Sequence, residues 1–243
     1  MAIRLDVRVD NLPAVVAAAL TSPARWDDLV SAIAALDDDV RTAPTAEHVD
    51  VSARLVELLS TRPYLVLADH ASATHALACA ATGPSPDALV DWLLRLQLDY
   101  PDAPDVRLDA YAVALGPEGF ASYRARAVAA FSQLPVIGFG EPGRYDRTRW
   151  ALLRIMEELA EFTEDVDLRV LLLTKDLSSG WHYLQVATVL FEADRWTEAL
   201  EWVRRGLAAT GGHGAAARLA DLGVTACMRM GRPDLAAELR QSW

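Results

Sequence analysis

Five histidines and two cysteines are the side chains of this 243-residue chain best suited to ligate a metal or attack an electrophile. His75 and Cys79 stand four residues apart, which on a helix puts an imidazole and a thiol on one face, with Asp69-His70 a turn upstream. Two ligands do not make a site, and the chain contains no H-E-x-x-H, no C-x-x-C and no second His/Cys pair nearby. An Ala-rich core helix with polar edges is the stronger account, so no metal and no cofactor is expected. Cys79 and Cys227 are too few for a disulfide framework, and both lie in apolar helical stretches where a thiol is buried and inert.

Carboxylates offer a second possibility. Glu157, Glu161 and Glu164 fall at i, i+4 and i+7, hence on one helical stripe, with Arg154 one turn before Glu157. A di-metal carboxylate bundle would need Glu-x-x-His on partner helices, which the chain lacks. The stripe is expected to be a solvated face with an Arg154–Glu157 ion pair; lining a concave face, it would suit a basic peptide. Nucleophilic catalysis has no supporting pattern. There is no G-x-S-x-G elbow, Ser178-Ser179 suits a helix N-cap before Trp181, and no residue is assigned a catalytic role. His182 sits between Trp181 and Tyr183. Packing of Tyr183, Val186 and Leu190 would turn Trp181 and His182 partly outward, as a ligand groove requires, although a packed contact between repeats is the stronger account.

The elements that carry these residues are helices. In Ala151 to Thr163 the apolar Leu152, Ile155, Met156, Leu159 and Phe162 recur at three- and four-residue steps, with charges between them. Asp87 to Leu98 repeats the pattern behind Ser85-Pro86, an N-cap and first-turn proline. The one strand-like run, Ile3 to Val9, suits an extended start or a short helix. Gly83-Pro84-Ser85-Pro86, the Tyr100-to-Pro104 connector and Gly116-Pro117 punctuate the chain. Pro135 to Asp146, with three glycines and two prolines, is the longest irregular stretch and is either a surface excursion or a lid. It divides an N-terminal helical region, 1–134, from a C-terminal one, 147–243. Gly138-Phe-Gly140 within it lacks the lysine and preceding strand of a phosphate loop.

An internal repeat sharpens the architecture. Tyr183, Val186, Ala187, Leu190, Trp196, Ala199, Val203 and Gly206 have the spacing of a tetratricopeptide (TPR) helix pair, in which large, small and aromatic residues interlock two antiparallel helices. Setting Trp196 against Pro233 aligns Ala187 with Val224, Leu190 with Cys227 and Ala199 with Ala236. The Gly211-Gly212-His213-Gly214 turn absorbs the residues beyond the usual period of about 34. Asp194-Arg195-Trp196 and Gly231-Arg232-Pro233 then become equivalent turns. Such pairs bury their apolar faces only by stacking. The expected fold is all-α, a right-handed α-solenoid or helical-repeat array of about a dozen helices, with TPR-like pairs at the C-terminal end and both regions in one continuous solenoid.

The segments Asp176 to Leu184, Ala193 to Leu200 and Glu201 to Ala208 resemble the helical-repeat region of actinobacterial SWIM zinc-finger proteins. Arg154 to Glu157, Asp165 to Asp167 and Leu115 to Tyr123 are similar to the same region, and the resemblance spans roughly residues 85–240. It implies a helical scaffold and no particular activity. The finger's own Cys-x-Cys and Cys-x-His pairs are absent, so its zinc and its contacts do not carry over.

Charge limits the partners. The chain carries 34 acidic against 23 basic residues, a net charge of −11, and the excess of acid holds in residues 1–100 and in 101–243 alike. Such a field disfavours nucleic acid. Of the basic residues only Lys175 is a lysine. No stretch approaches the roughly 20 apolar residues of a membrane span, and Asp6 and Asp10 argue against a signal peptide around Leu12 to Leu20, so a cytoplasmic protein is expected. The sequence favours a non-catalytic repeat scaffold that binds a basic or apolar protein or peptide along a concave face. Trp150, Arg154, Glu157, Trp181, His182 and Arg195 are the residues expected to line it. The alternative is a small-molecule enzyme or ligand-binding protein with a pocket between helices, covered by 135–146 and holding His182 with Glu157. The oligomeric state is left open.

Overall fold

The computed structural model describes residues 12–21, 26–61, 65–102, 106–143 and 146–242. Among them the fold is all-α, with twelve α-helices and no β-strand. The Ile3-to-Val9 run lies outside the described residues. The chain falls into two compact units, one of Met1–Val128 with Trp150–Ile155, the other of Ala129–Arg149 with Met156–Trp243.

In the first unit α1 (Leu12–Leu20), α2 (Trp26–Thr42), α3 (Ala46–Ser60) and α4 (Leu65–Thr82) pack on one another, α3 against α4 most extensively. Helical spacing explains the core: Leu29, Ile33, Leu36 and Val40 line the buried face of α2, and Leu55, Val56 and Leu59 that of α3. The helix α4 contributes small residues, Ala68, Ala71, Ala76 and Ala78, all buried, which let its neighbours approach its backbone closely. The following helix α5 (Pro86–Asp99) begins at the N-cap Ser85 with proline in its first turn, as the sequence requires. In α6 (Leu108–Ser132) the helical path breaks at Gly116, whose φ of 58° and ψ of −177° suit glycine alone, ahead of Pro117.

His75 and Cys79 do share a face of α4, and both are buried. Tyr111 of α6 donates its hydroxyl proton to the Ser72 carbonyl at 3.1 Å. The same hydroxyl shares a hydrogen bond with His75 Nδ1 at 3.0 Å, and His75 Nε2 faces Cys79 Sγ at 3.4 Å. The Trp92 ring closes the cluster, its centroid 4.1 Å from that of His75. Burial pushes the imidazole down to about 3 and the thiol up to about 12, so both are neutral and unreactive.

The second unit continues through the rest of α7 (Arg147–Thr163), α8 (Val166–Leu173), α9 (Gly180–Glu192), α10 (Trp196–Thr210), α11 (Ala216–Arg229) and α12 (Pro233–Ser242). From α8 onward each helix packs on the next, and α9 also meets α11. Trp196 and Pro233, the residues that set the repeat offset, begin α10 and α12, although of the aligned pair Ala187 and Val224 only Ala187 is fully buried. The other aligned pairs are buried alike: Leu190 with Cys227, Ala199 with Ala236. The two turns also match. Asp194 and Gly231 both take positive φ, 59° and 69°, and the amides of Arg195 and Arg232 each bond the carbonyl five residues back, on Leu190 and Cys227, at 2.9 Å. Gly206 makes the α9–α10–α11 packing close, since a Cβ there would stand 2.8 Å from both Tyr183 Cβ and Leu219 Cδ1.

Candidate functional site

A cleft of about 730 Å³ opens in the second unit between α7, α8 and α9. Its walls carry the carboxylates of Glu157 and Glu161 from α7, Glu164 and Asp165 from the following turn, and Glu192 from the end of α9. Arg169 is the one cation among the lining residues, and Ala160, Leu172 and Val189 give it apolar surface. The Glu157/Glu161/Glu164 stripe is thus exposed, as its spacing suggested, and is also one wall of a concavity.

Local structure makes the cleft more negative than its side chains alone. Glu161 lies in the last turn of α7 and Glu164 is its C-cap, while Glu192 ends α9; neither helix has a basic residue in its last turn. Helix C-termini carry partial negative charge from unsatisfied carbonyls, so carboxylates there are repelled by about 0.3–1 kcal/mol each. Glu164 also takes a left-handed conformation with φ 50°, a position better suited to glycine or asparagine. Only Asp165 is placed favourably, as the N-cap of α8 accepting from the amides of Asp167 and Leu168 at 2.9 and 3.1 Å. Unfavourable placements converging on one concavity leave it poised to attract positive charge.

The residues singled out by sequence are distributed over several places. Glu157 lines the cleft. Arg195 ties α8 to α10 beside it, bonding Asp167 at 2.5 Å and Glu198 at 2.6 Å, which holds the Glu198 carboxyl below its ordinary range. Trp181 and His182 stand in the first turn of α9, at the opposite end from Val189 to Ala193, where α9 meets the cleft. Trp181 is 47% exposed with the Arg218 guanidinium 4.9 Å above its ring, a cation–π contact between α9 and α11. Trp150 and Arg154 belong to the first unit; Trp150 is exposed and Arg154 donates to the Pro101 carbonyl.

His182 has serines and an aspartate around it, yet the arrangement is not a catalytic triad. Asp176 Oδ1 lies 3.3 Å, Ser178 Oγ 3.4 Å and Ser179 Oγ 3.3 Å from the same nitrogen, Nδ1. A triad needs the nucleophile on Nε2 and the carboxylate on Nδ1. These groups instead fasten the start of α9: Ser179 is its N-cap residue, as the sequence suggested, but its hydroxyl turns to the imidazole and makes no capping bond to the backbone.

The segment 135–143 is bound down over the second unit. Ile137 forms an isolated parallel bridge with Asp176: its amide donates to the Lys175 carbonyl at 3.0 Å and its carbonyl accepts from Leu177 at 2.8 Å. Gly140 N–H adds a bond to the Ser178 carbonyl at 2.9 Å. No metal centre accompanies any of these features: among the described residues no three His, Cys, Asp or Glu side chains are grouped to hold an ion.

Sequence reasoning did not reach Asp165, Arg169 or Glu192 as neighbours of Glu157. Of the three only Glu192 carried an advance signal, an acid at a helix end in F-E-A-D, where a helix prefers a base. Compared with known protein families, with characterised proteins and with solved structures, the chain matches none.

Proposed function

We propose that the protein is a helical-repeat binding module whose cleft between α7, α8 and α9 takes a cationic, arginine- or lysine-rich segment of a partner protein. The observation that carries this reading is the set of five carboxylates against one guanidinium around a concavity of about 730 Å³. Three of those carboxylates lie at helix ends that repel them, so a bound cation relieves a cost present in the free protein. The apolar surface of Leu172 and Val189 accommodates the methylene stems of long basic side chains. The TPR-like spacing of the residues in α9 to α12 supports a scaffold role.

The test is fluorescence anisotropy with a labelled oligo-arginine peptide, and an oligo-glutamate peptide as control. The wild-type chain is expected to bind only the former, more weakly as salt rises. Glu161→Gln with Glu192→Gln is expected to weaken binding by about tenfold, the effect of losing two charge pairs at a partly desolvated site. Because both substitutions remove a repulsion from a helix end, the variant should melt no lower than wild type. Undiminished binding by the variant would remove the cleft from consideration.

A further inference from the structure

Lys175 is the only lysine in the chain, and it is buried. Its ammonium donates to the carbonyls of Ser132, the last residue of α6, and Leu134, at 3.0 and 2.7 Å, and stands 5.6 Å from the centroid of the Phe131 ring. Beside it Arg149, only 2% exposed, donates to the carbonyls of Lys175 and Pro135. Among the described residues all side-chain hydrogen bonds of these two cations go to main-chain carbonyls, and neither pairs with a carboxylate. Two like charges are therefore buried together without a counter-ion, and desolvation followed by the Arg149 charge lowers the Lys175 pKa.

What lies over them is thin. Residues 133–140 are held to the α8–α9 connection by three backbone hydrogen bonds and by Ile137, the one buried side chain of the segment. Val136 and Phe139 are half exposed. The closed arrangement gains those bonds and the capping of the α6 C-terminus by an ammonium. Against this stands the cost of keeping two cations from water, which opening would relieve. Opposing terms of this kind give a local two-state element.

We propose that residues 133–140 are a strap, latched by Lys175 and Arg149, that opens locally while the helices stay folded. Opening brings the Lys175 ammonium into solvent and frees the turn from Asp176 to Ser179, and with it the entry to α9 that presents Trp181 and His182.

The single lysine makes the test site-specific. The full chain is acetylated with an N-hydroxysuccinimide ester, and the rate at Lys175 is read by peptide mass spectrometry relative to the denatured chain. Alkylation of Cys227, buried between α10, α11 and α12, reports unfolding of the same unit in the same way. A strap requires that Lys175 be protected, but at least about tenfold less than Cys227, since local opening is more frequent than unfolding. Ile137→Ala should speed Lys175 acetylation by about tenfold or more and leave Cys227 alkylation unchanged. Equal protection of the two sites would overturn the proposal, because Lys175 would then be exposed only by unfolding. No protection at Lys175, or an equal effect of Ile137→Ala on both sites, would overturn it too.

Discussion

His75 is held neutral by burial, hydrogen-bonded to the Tyr111 hydroxyl beside Ser72. Its folded form resists protonation. The stability this residue contributes is therefore complete above the ordinary histidine pKa of 6.5 and is lost as pH falls from there toward about 3. The slope is about 1.4 kcal/mol per pH unit while only the unfolded chain takes up the proton. Urea unfolding is expected to show a loss of about 2 kcal/mol from this residue between neutral pH and about pH 5. His75→Gln should lower stability at neutral pH yet flatten that part of the pH dependence; an unchanged slope would show that His75 does not remain neutral in the fold. The i, i+4 spacing of His75 and Cys79 was legible in the sequence, but the burial that silences both groups was not. It arises from Trp92 and Tyr111, on two other helices.

Among the helices, the α9–α10–α11 packing depends on a missing side chain. Alanine at position 206 would gain about 1 kcal/mol in helix propensity. Its Cβ would meet Tyr183 Cβ, an atom fixed to the α9 backbone, at 2.8 Å, so the helices rather than a flexible side chain would have to move. Overpacking of this kind costs about 1–3 kcal/mol. Gly206→Ala is expected to destabilise by up to about 2 kcal/mol net in denaturant unfolding, and a more stable variant would contradict the close approach. The repeat spacing marked Gly206 in advance, because a helix pair at this register demands a small residue. The 135–146 segment was less legible. Its glycines and prolines announced an irregular stretch, while its attachment depends on Lys175 and Arg149, one distant in sequence and one beyond the segment's end.

At the scale of the whole molecule, the net charge of −11 sets a negative field, and the cleft concentrates it at one place. The chain is expected to leave duplex DNA unshifted in an electrophoretic mobility assay at physiological salt, while oligo-arginine peptide binds. A salt-sensitive DNA complex would point instead to a local arginine face. Among the described residues no helix is long and apolar enough to cross a membrane.

The sequence by itself determined the helical class, the helix ends marked by proline, glycine or capping residues, such as Ser85-Pro86 and Gly211, and the starts of α10 and α12 at Trp196 and Pro233. These are set by local periodicity, capping chemistry and turn residues within a few positions of one another. Tertiary structure alone decided that Glu157 and Glu192 share a cleft, and that a lone lysine meets the carbonyls of Ser132 and Leu134 beneath a strap. Each depends on which groups of separate segments face one another, and a linear pattern carries no term for that.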